Sequence, residues 1–249
     1  MPFYRHPSAR AARREDRQRA ARRVAPVAAA ALSFALLFGP GTARAESSEI
    51  SRAETLLFMS PHLKELQPPS RLHYAFHKSG TLEKGFSDTV DIDITTGPDG
   101  SRKGVVRFFS GKRQIKYPEV ERAEGNPVLL FYLEREIREM SRLTGGQPNH
   151  FRQRIRTALA QSAQIKDVDI RFGGRTMRAQ QITISPYDSD PNRERFDRLA
   201  TKQYVFTICE TIPGVVYEMR GVVGAPSGSS ADEAVIDETL TFASAGVPK

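Results

Sequence analysis

His73 and His77 stand four residues apart in a stretch that alternates polar and apolar residues, and Asp91 and Asp93 stand two apart in the next such stretch. Brought together, they would present two imidazoles and two carboxylates, a donor set that suits zinc. The spacing argues against it. Two histidines at that separation on one strand lie roughly 13 Å apart at ~3.3 Å per residue, and the solvent face of a hairpin already explains all four residues, so no metal site is expected. Asp188-Ser-Asp190-Pro-Asn192 opens like a calcium loop, but Arg193 stands where a turn glycine is needed and Leu199 where a bidentate Glu belongs. A helix-capping loop is the better reading. Cys209 is the sole cysteine, which excludes an internal disulfide or a cysteine metal cluster and reads as a buried or edge thiol. G-x-S-x-G, H-E-x-x-H, C-x-x-C and a phosphate-binding glycine loop do not occur. No catalytic residue and no cofactor are predicted, and an unrecognised hydrolase or metalloenzyme remains the minor alternative.

The chain carries 37 Lys and Arg against 29 Asp and Glu, a balance that at face value suggests nucleic acid or an anionic membrane. Nine of those arginines and only two acids fall within residues 1–45, leaving 28 basic and 27 acidic side chains in the remainder. Nucleic acid is therefore not an expected partner. The leader itself has an Arg-rich start to Arg23, an apolar run from Val24 to Phe38, and Ala43-Arg44-Ala45 as a cleavage site. This is the pattern of a secretory signal, with cleavage between Ala45 and Glu46 and a periplasmic destination. The apolar run falls short of the ~20 residues that span a bilayer, and no transmembrane span is predicted in the mature chain.

The elements that would position any site are organised around Asn126 to Gly145. Asn126 can cap a helix, Pro127 suits its first position, and Gly145 can close it in the left-handed conformation. Leu130, Leu133, Ile137 and Met140 form one predicted stripe, Val128, Leu129, Phe131 and Tyr132 spread apolar surface around the rest of the first two turns, which are expected to be enclosed, and from Glu134 onward the exposed side is charged. Glu134/Arg138 and Arg135/Glu139 are expected as pairs one turn apart. Arg135, Arg138, Arg142, Arg152, Arg154 and Arg156 are read as solvated helix faces.

Before this helix, Ser51-x-x-Glu54 is a capping box for a short helix ending ahead of Pro61. Strands are predicted over Arg71 to Lys78, Asp88 to Thr95 and Lys103 to Ser110, the last apolar on both faces through Val105 and Phe109, with Gln114 to Tyr117 extending the sheet. After it, Asn149 is expected to cap a second helix to about Gln164, burying Phe151, Ile155 and Leu159. A hairpin follows, turning at Gly173-Gly174, with a phase shift between Ala179 and Ile182 attributed to a bulge. Asp190-Pro191 is expected to open a short polar helix to about Leu199. Strands over Lys202 to Cys209, Val215 to Val223 and Val235 to Phe242 complete the chain, with a loop at Ala225 to Ala231 and a loose tail from Gly246.

About eight mostly one-sided strands with a helical pair midway predict an α+β fold: a curved antiparallel half-barrel whose apolar face is covered by the two helices. The domain reading is a leader at 1–45, a helix and linker at 46–70, one domain at 71–245 and a tail at 246–249.

Two resemblances add to this. Glu124-Gly-Asn-Pro-Val-Leu-Leu-Phe-Tyr-Leu-Glu through Leu143-Thr-Gly-Gly146 resembles a stretch from a group of uncharacterised exported proteins of Gram-negative bacteria. The order of elements resembles the lipoprotein-carrier (LolA-like) half-barrels, in which helices lie in a curved sheet and an apolar pocket receives acyl chains; no residue motif accompanies it. The resemblance implies a non-enzymatic protein holding a lipid-like or other apolar ligand between sheet and central helix. Leu129, Leu130, Phe131, Leu133 and Ile137 are the expected lining, facing Tyr74, Phe76, Val106 and Phe108. The competing reading is an envelope scaffold with a filled core, using its polar sheet face or an edge strand on a protein partner.

Overall fold

The computed structural model describes residues 49–224 and 234–248. The expected signal peptide and the loop at Ala225 to Ala231 lie outside the described residues.

Nine strands form one curved, open antiparallel sheet. β1 (Ser70–Ser79), β2 (Phe86–Thr96), β3 (Arg102–Phe108) and the two-residue β4 (Ile115–Lys116) meander outward. The chain then makes α2 (Val128–Thr144) and α3 (Pro148–Gln161), after a first short helix α1 (Arg52–Glu54) that continues as a π turn over Thr55–Met59. β5 (Gln164–Phe172), β6 (Arg175–Ile184), β7 (Gln203–Ile208), β8 (Val216–Val223) and β9 (Ile236–Gly246) return from the far edge. The last strand pairs with the first, giving the order β4-β3-β2-β1-β9-β8-β7-β6-β5.

The inward face is set by strand alternation. Tyr74 pairs with Val90 and Phe242, Phe76 with Leu240, Leu240 with Met219, Met219 with Phe206 and Phe206 with Ile182. That buried band crosses the sheet, and the helices lie on it. Gly173 and Gly174, both at positive φ, close the β5–β6 hairpin as expected.

Several expectations are corrected. The last strand runs to Gly246, where the tail is expected to begin. Phe109 does not clothe the outer face of β3: its positive φ ends the strand and returns its ring to Phe76 (4.6 Å) and Phe108 (4.7 Å), leaving only half-buried Val105 outside. Asn149 caps nothing, because α3 starts one residue earlier at Pro148 and ends at Gln161. The phase shift in β6 involves no bulge toward either neighbour. β6 pairs with β7 only from Gln180 to Ile184, so its first half overhangs with β5 and buries the other side, through Ala179 and Ile170. The segment after Asp190 is a kinked 3-10 stretch over Arg193–Thr201, broken at Asp197 (φ 49°).

The largest correction concerns α2. Its buried side includes Leu129, Tyr132, Leu133, Glu136, Ile137 and Met140, whereas Leu130 is 53% exposed. At 3.6 residues per turn the buried arc is centred near Glu136, rotated roughly 80° from the expected stripe. Arg135 and Glu136 are inside, not in water.

Candidate functional site

Two polar assemblies hold α2 in place. At its start Asn126 uses every hydrogen-bonding group it has, its carbonyl accepting from Leu129 N (3.3 Å). Its backbone N–H donates to His62 Nδ1 (3.2 Å), its side-chain Nδ2 donates to Tyr74 Oη (2.8 Å) and to the Gly214 carbonyl (2.9 Å), and its Oδ1 accepts from Val128 N (3.2 Å). The expected cap is thus real, and it also ties α2 to β1, to the β7–β8 turn and to the segment after α1. Gly214 (φ 74°) admits this approach because a Cβ there would stand 2.5 Å from Leu72 Cδ1 and 3.0 Å from Asn126 Nδ2. His62 donates from Nε2 to the Leu56 carbonyl (2.8 Å). Burial pushes its imidazole pKa below the usual value, outweighing the pull of that carbonyl.

Two turns further on, charge replaces neutral groups. Glu136, 0% exposed, pairs with Lys202, 1% exposed, at 2.5 Å and also with Arg135. Arg135 grips Glu238 with both terminal nitrogens (2.7 and 3.0 Å), and Lys78 bridges Glu238 (3.0 Å) and Glu83 (2.8 Å). Burial raises the Glu136 pKa to about 7 against the attraction of Lys202 and Arg135. Burial would raise Glu238 too, but the hydrogen bonds and charge of Arg135, then Lys202, hold it well below the usual carboxylate range. The cluster lies over Gly221, where a Cβ would meet Glu136 Oε2 at 3.0 Å and Tyr132 Oη at 3.1 Å.

The expected intrahelical pairs do not form here. Glu134 instead binds Arg152 of α3, Arg138 lies over the Tyr117 ring, and Glu139 joins Arg142, which also reaches Glu83. Arg154 reaches the Pro186 carbonyl and Ser189. A sequence signal for the cluster did exist. Lys78 continues the inward parity of Leu72, Tyr74 and Phe76, Glu238 that of Leu240 and Phe242, and Lys202 that of Tyr204 and Phe206; Lys78 and Glu238 are direct cross-strand partners.

The four residues considered for zinc lie on the outer face. His73 pairs with Asp91 (2.6 Å) and His77 with Ser87 (3.0 Å), while Asp93 is taken by Arg71 and Arg107, whose hydrogen bonds overcome burial and lower its pKa. Among the described residues, no three His, Cys, Asp or Glu side chains gather closely enough to hold a metal. Asp190 accepts from Asn192 N (2.8 Å) and receives His150 Nε2 (2.6 Å), so it joins a loop to α3. Cys209 is buried, its Sγ 3.3 Å from the Arg178 carbonyl.

Of the expected ligand lining, Leu129, Phe131, Leu133, Ile137, Tyr74, Phe76, Val106 and Phe108 are all buried, and Leu130 points to solvent. A side chain facing a void wide enough for water keeps accessible surface. Tyr74 and Phe108 keep none. A cleft lies elsewhere, at the end of the sheet, with a volume of about 990 Å³. Leu56, Leu66, Ala179, Ile208 and Ile212 give it apolar surface; Lys64, Glu65, Asp167, Arg178 and Glu210 give it charged surface of both signs. None of the nine expected residues lines it. It was illegible because its walls come from the segment after α1, the overhanging β5–β6 hairpin and the β7–β8 turn, which only the fold brings together.

No family model matches the sequence, and no curated protein is found to be similar to it. Solved structures of similar shape do exist. The chain is similar to the Mycobacterium tuberculosis lipoprotein LppX, at 12% identity over 70% of this chain and 84% of that one, with a TM-score of 0.30. It is similar to MucB in the Pseudomonas aeruginosa MucA/MucB complex, at 15% identity over 76% of this chain and 56% of that one, TM-score 0.32. A LolA superfamily protein from Nitrosomonas europaea matches at 5% identity over 79% of this chain and 94% of that one, TM-score 0.22. At these scores no side chain transfers, and the functional reading rests on the geometry above. No helix among the described residues is long and apolar enough to cross a membrane.

Proposed function

We propose that this is an exported, periplasmic, non-enzymatic binding protein that holds an apolar or amphiphilic molecule in the cleft at the end of its sheet. The observation that carries this is the cleft itself: about 990 Å³, at the upper end of the ~300–1,000 Å³ of small-molecule sites, lined by apolar side chains and by charges of both signs. The space between sheet and α2 is the weaker candidate, since the side chains there are packed against one another.

A protein-partner reading has its own support in the outer edge of β5. That strand offers nine residues with no neighbour on one side among the described residues, and its Asp167 lines the cleft. An edge of this length, without proline or bulge, can accept a strand from another chain.

The test is native mass spectrometry of protein expressed with its leader and recovered from the periplasm. The expected mature chain begins at Glu46 and carries a small-molecule adduct that is extracted by organic solvent and lost in Gln180→Trp, which fills the cleft. A cytoplasmic chain, or a periplasmic chain with no adduct in either form, contradicts the carrier reading; a stoichiometric co-purifying polypeptide supports the partner reading.

A further inference from the structure

The one histidine on the cleft wall is held in a single tautomer. His62 Nδ1 faces the backbone N–H of Asn126, which can only donate, and Nε2 faces the carbonyl of Leu56, which can only accept. The ring must therefore be neutral with its proton on Nε2. A second proton would set an N–H against an N–H inside the protein, and one of them would lose its partner. The consequence reaches a second part of the cleft's lining. His62 belongs to the wall formed by Leu56 to Leu66, and Asn126, which it binds, also holds the carbonyl of Gly214, another lining residue.

We propose that His62 is a proton-operated catch: neutral, it pins the wall formed by the segment after α1 to Asn126, and protonation releases that wall and changes the cleft's grip on its ligand. This rests on the cleft being the binding site. The charged groups on the surrounding elements are Lys64 and Glu65 on its own segment, Arg102 of β3, which donates to the Lys64 and Leu66 carbonyls (2.9 and 3.3 Å), Glu124 ahead of α2, Glu210 on the β7–β8 turn, and Asp167 and Arg178 on the hairpin. None of them makes a hydrogen bond or ion pair with the imidazole, so no carboxylate waits to stabilise the cation. Burial accordingly moves the ring's pKa down, which puts release below the pH at which an ordinary imidazole takes up its proton.

The experiment follows the whole mature protein from pH 7.5 to 4.5. Imidazole ¹⁵N shifts report the His62 tautomer directly. Amide exchange of Asn126 and Leu63, corrected for intrinsic rates, reports the catch, because the Leu63 N–H is bound to the Glu124 carbonyl (3.0 Å). Protection at both amides should fall by about tenfold per pH unit below the folded pKa of His62, and Nile red, an uncharged probe, should change affinity by at least about fivefold in the same window. His62→Gln, which can still accept and donate but cannot titrate, should show neither change. Equal pH dependence in wild type and His62→Gln, or a neutral ring with unchanged protection down to pH 4.5, overturns the proposal. If protection falls while Nile red affinity stays constant, the gating role is overturned and the cleft survives. If Nile red bound at pH 7.5 is not displaced by Gln180→Trp, the cleft reading itself fails, and the gating proposal falls with it.

Discussion

The two assemblies that fasten α2 differ in kind. Around Asn126 every group is neutral, and donors match acceptors one for one. Around Glu136 three cations and two carboxylates are taken out of water together, with Glu83 at the margin. A neutral node loses one hydrogen bond at a time when it is disturbed. An ionic cluster leaves a buried charge without its counter-ion, which costs more. The two also answer protons oppositely. Glu136, with a folded pKa near 7, contributes stability that is full below its unfolded value and is lost as pH rises toward 7. His62, with a lowered folded pKa, contributes stability that is present above about 6.5 and lost as pH falls. Where His62 takes up its proton, below about pH 6.5, its slope opposes that of Glu136.

Removing a charge should expose the difference most strongly. Glu238→Gln strips Arg135 of its paired carboxylate and Lys78 of one partner, and should cost about 3–5 kcal/mol in urea unfolding at pH 7. A loss under about 1 kcal/mol would mean that water reaches the cluster. Asn126→Ala removes the cap and takes one hydrogen bond each from the Tyr74 hydroxyl, which still donates to the Val216 carbonyl, and from the Gly214 carbonyl, which still accepts from Val216 N; about 2–3 kcal/mol is expected, with the slope of stability against pH changed little. Glu136→Gln should make stability rise with pH between 4.5 and 6.5, by up to about 1 kcal/mol per unit relative to wild type, because the opposing slope is gone. The smallest effect belongs to Leu130→Gln. With Leu130 facing solvent it should stay within about 0.5 kcal/mol, against about 2–5 kcal/mol for Leu133→Ala one turn along. Equal losses would put α2 back in the orientation its apolar spacing suggested.

Where a property is periodic and local, it could be read from the residues. Leu72-Tyr74-Phe76 and Val90-Ile92-Ile94 each specify an inward face, Gly173-Gly174 specifies a turn, and Asn126 and Gly145 bracket a helix; the half-barrel follows from their order. The rotation of α2 could not be obtained in that way. Placing Arg135 and Glu136 inside requires knowing that Glu238 and Lys202 will be there, and Arg135 and Glu238 are 103 residues apart. Hydrophobic spacing then favours Leu130, because it credits apolar residues and knows nothing of counter-ions. The cleft escaped for a related reason: Leu66, Ala179 and Ile212 are unremarkable singly and become one surface only when a hairpin overhangs its neighbour.

The orientation of α2 and the opposed titrations both depend on Glu136 being enclosed beside Lys202. Carboxyl ¹³C shifts of the glutamates, followed from pH 8 to 3, test this most directly. Glu136 should titrate near pH 7 while Glu238 stays ionised throughout the range in which the protein remains folded. A Glu136 carboxyl that titrates among the ordinary surface glutamates, near about 4.3, would contradict it.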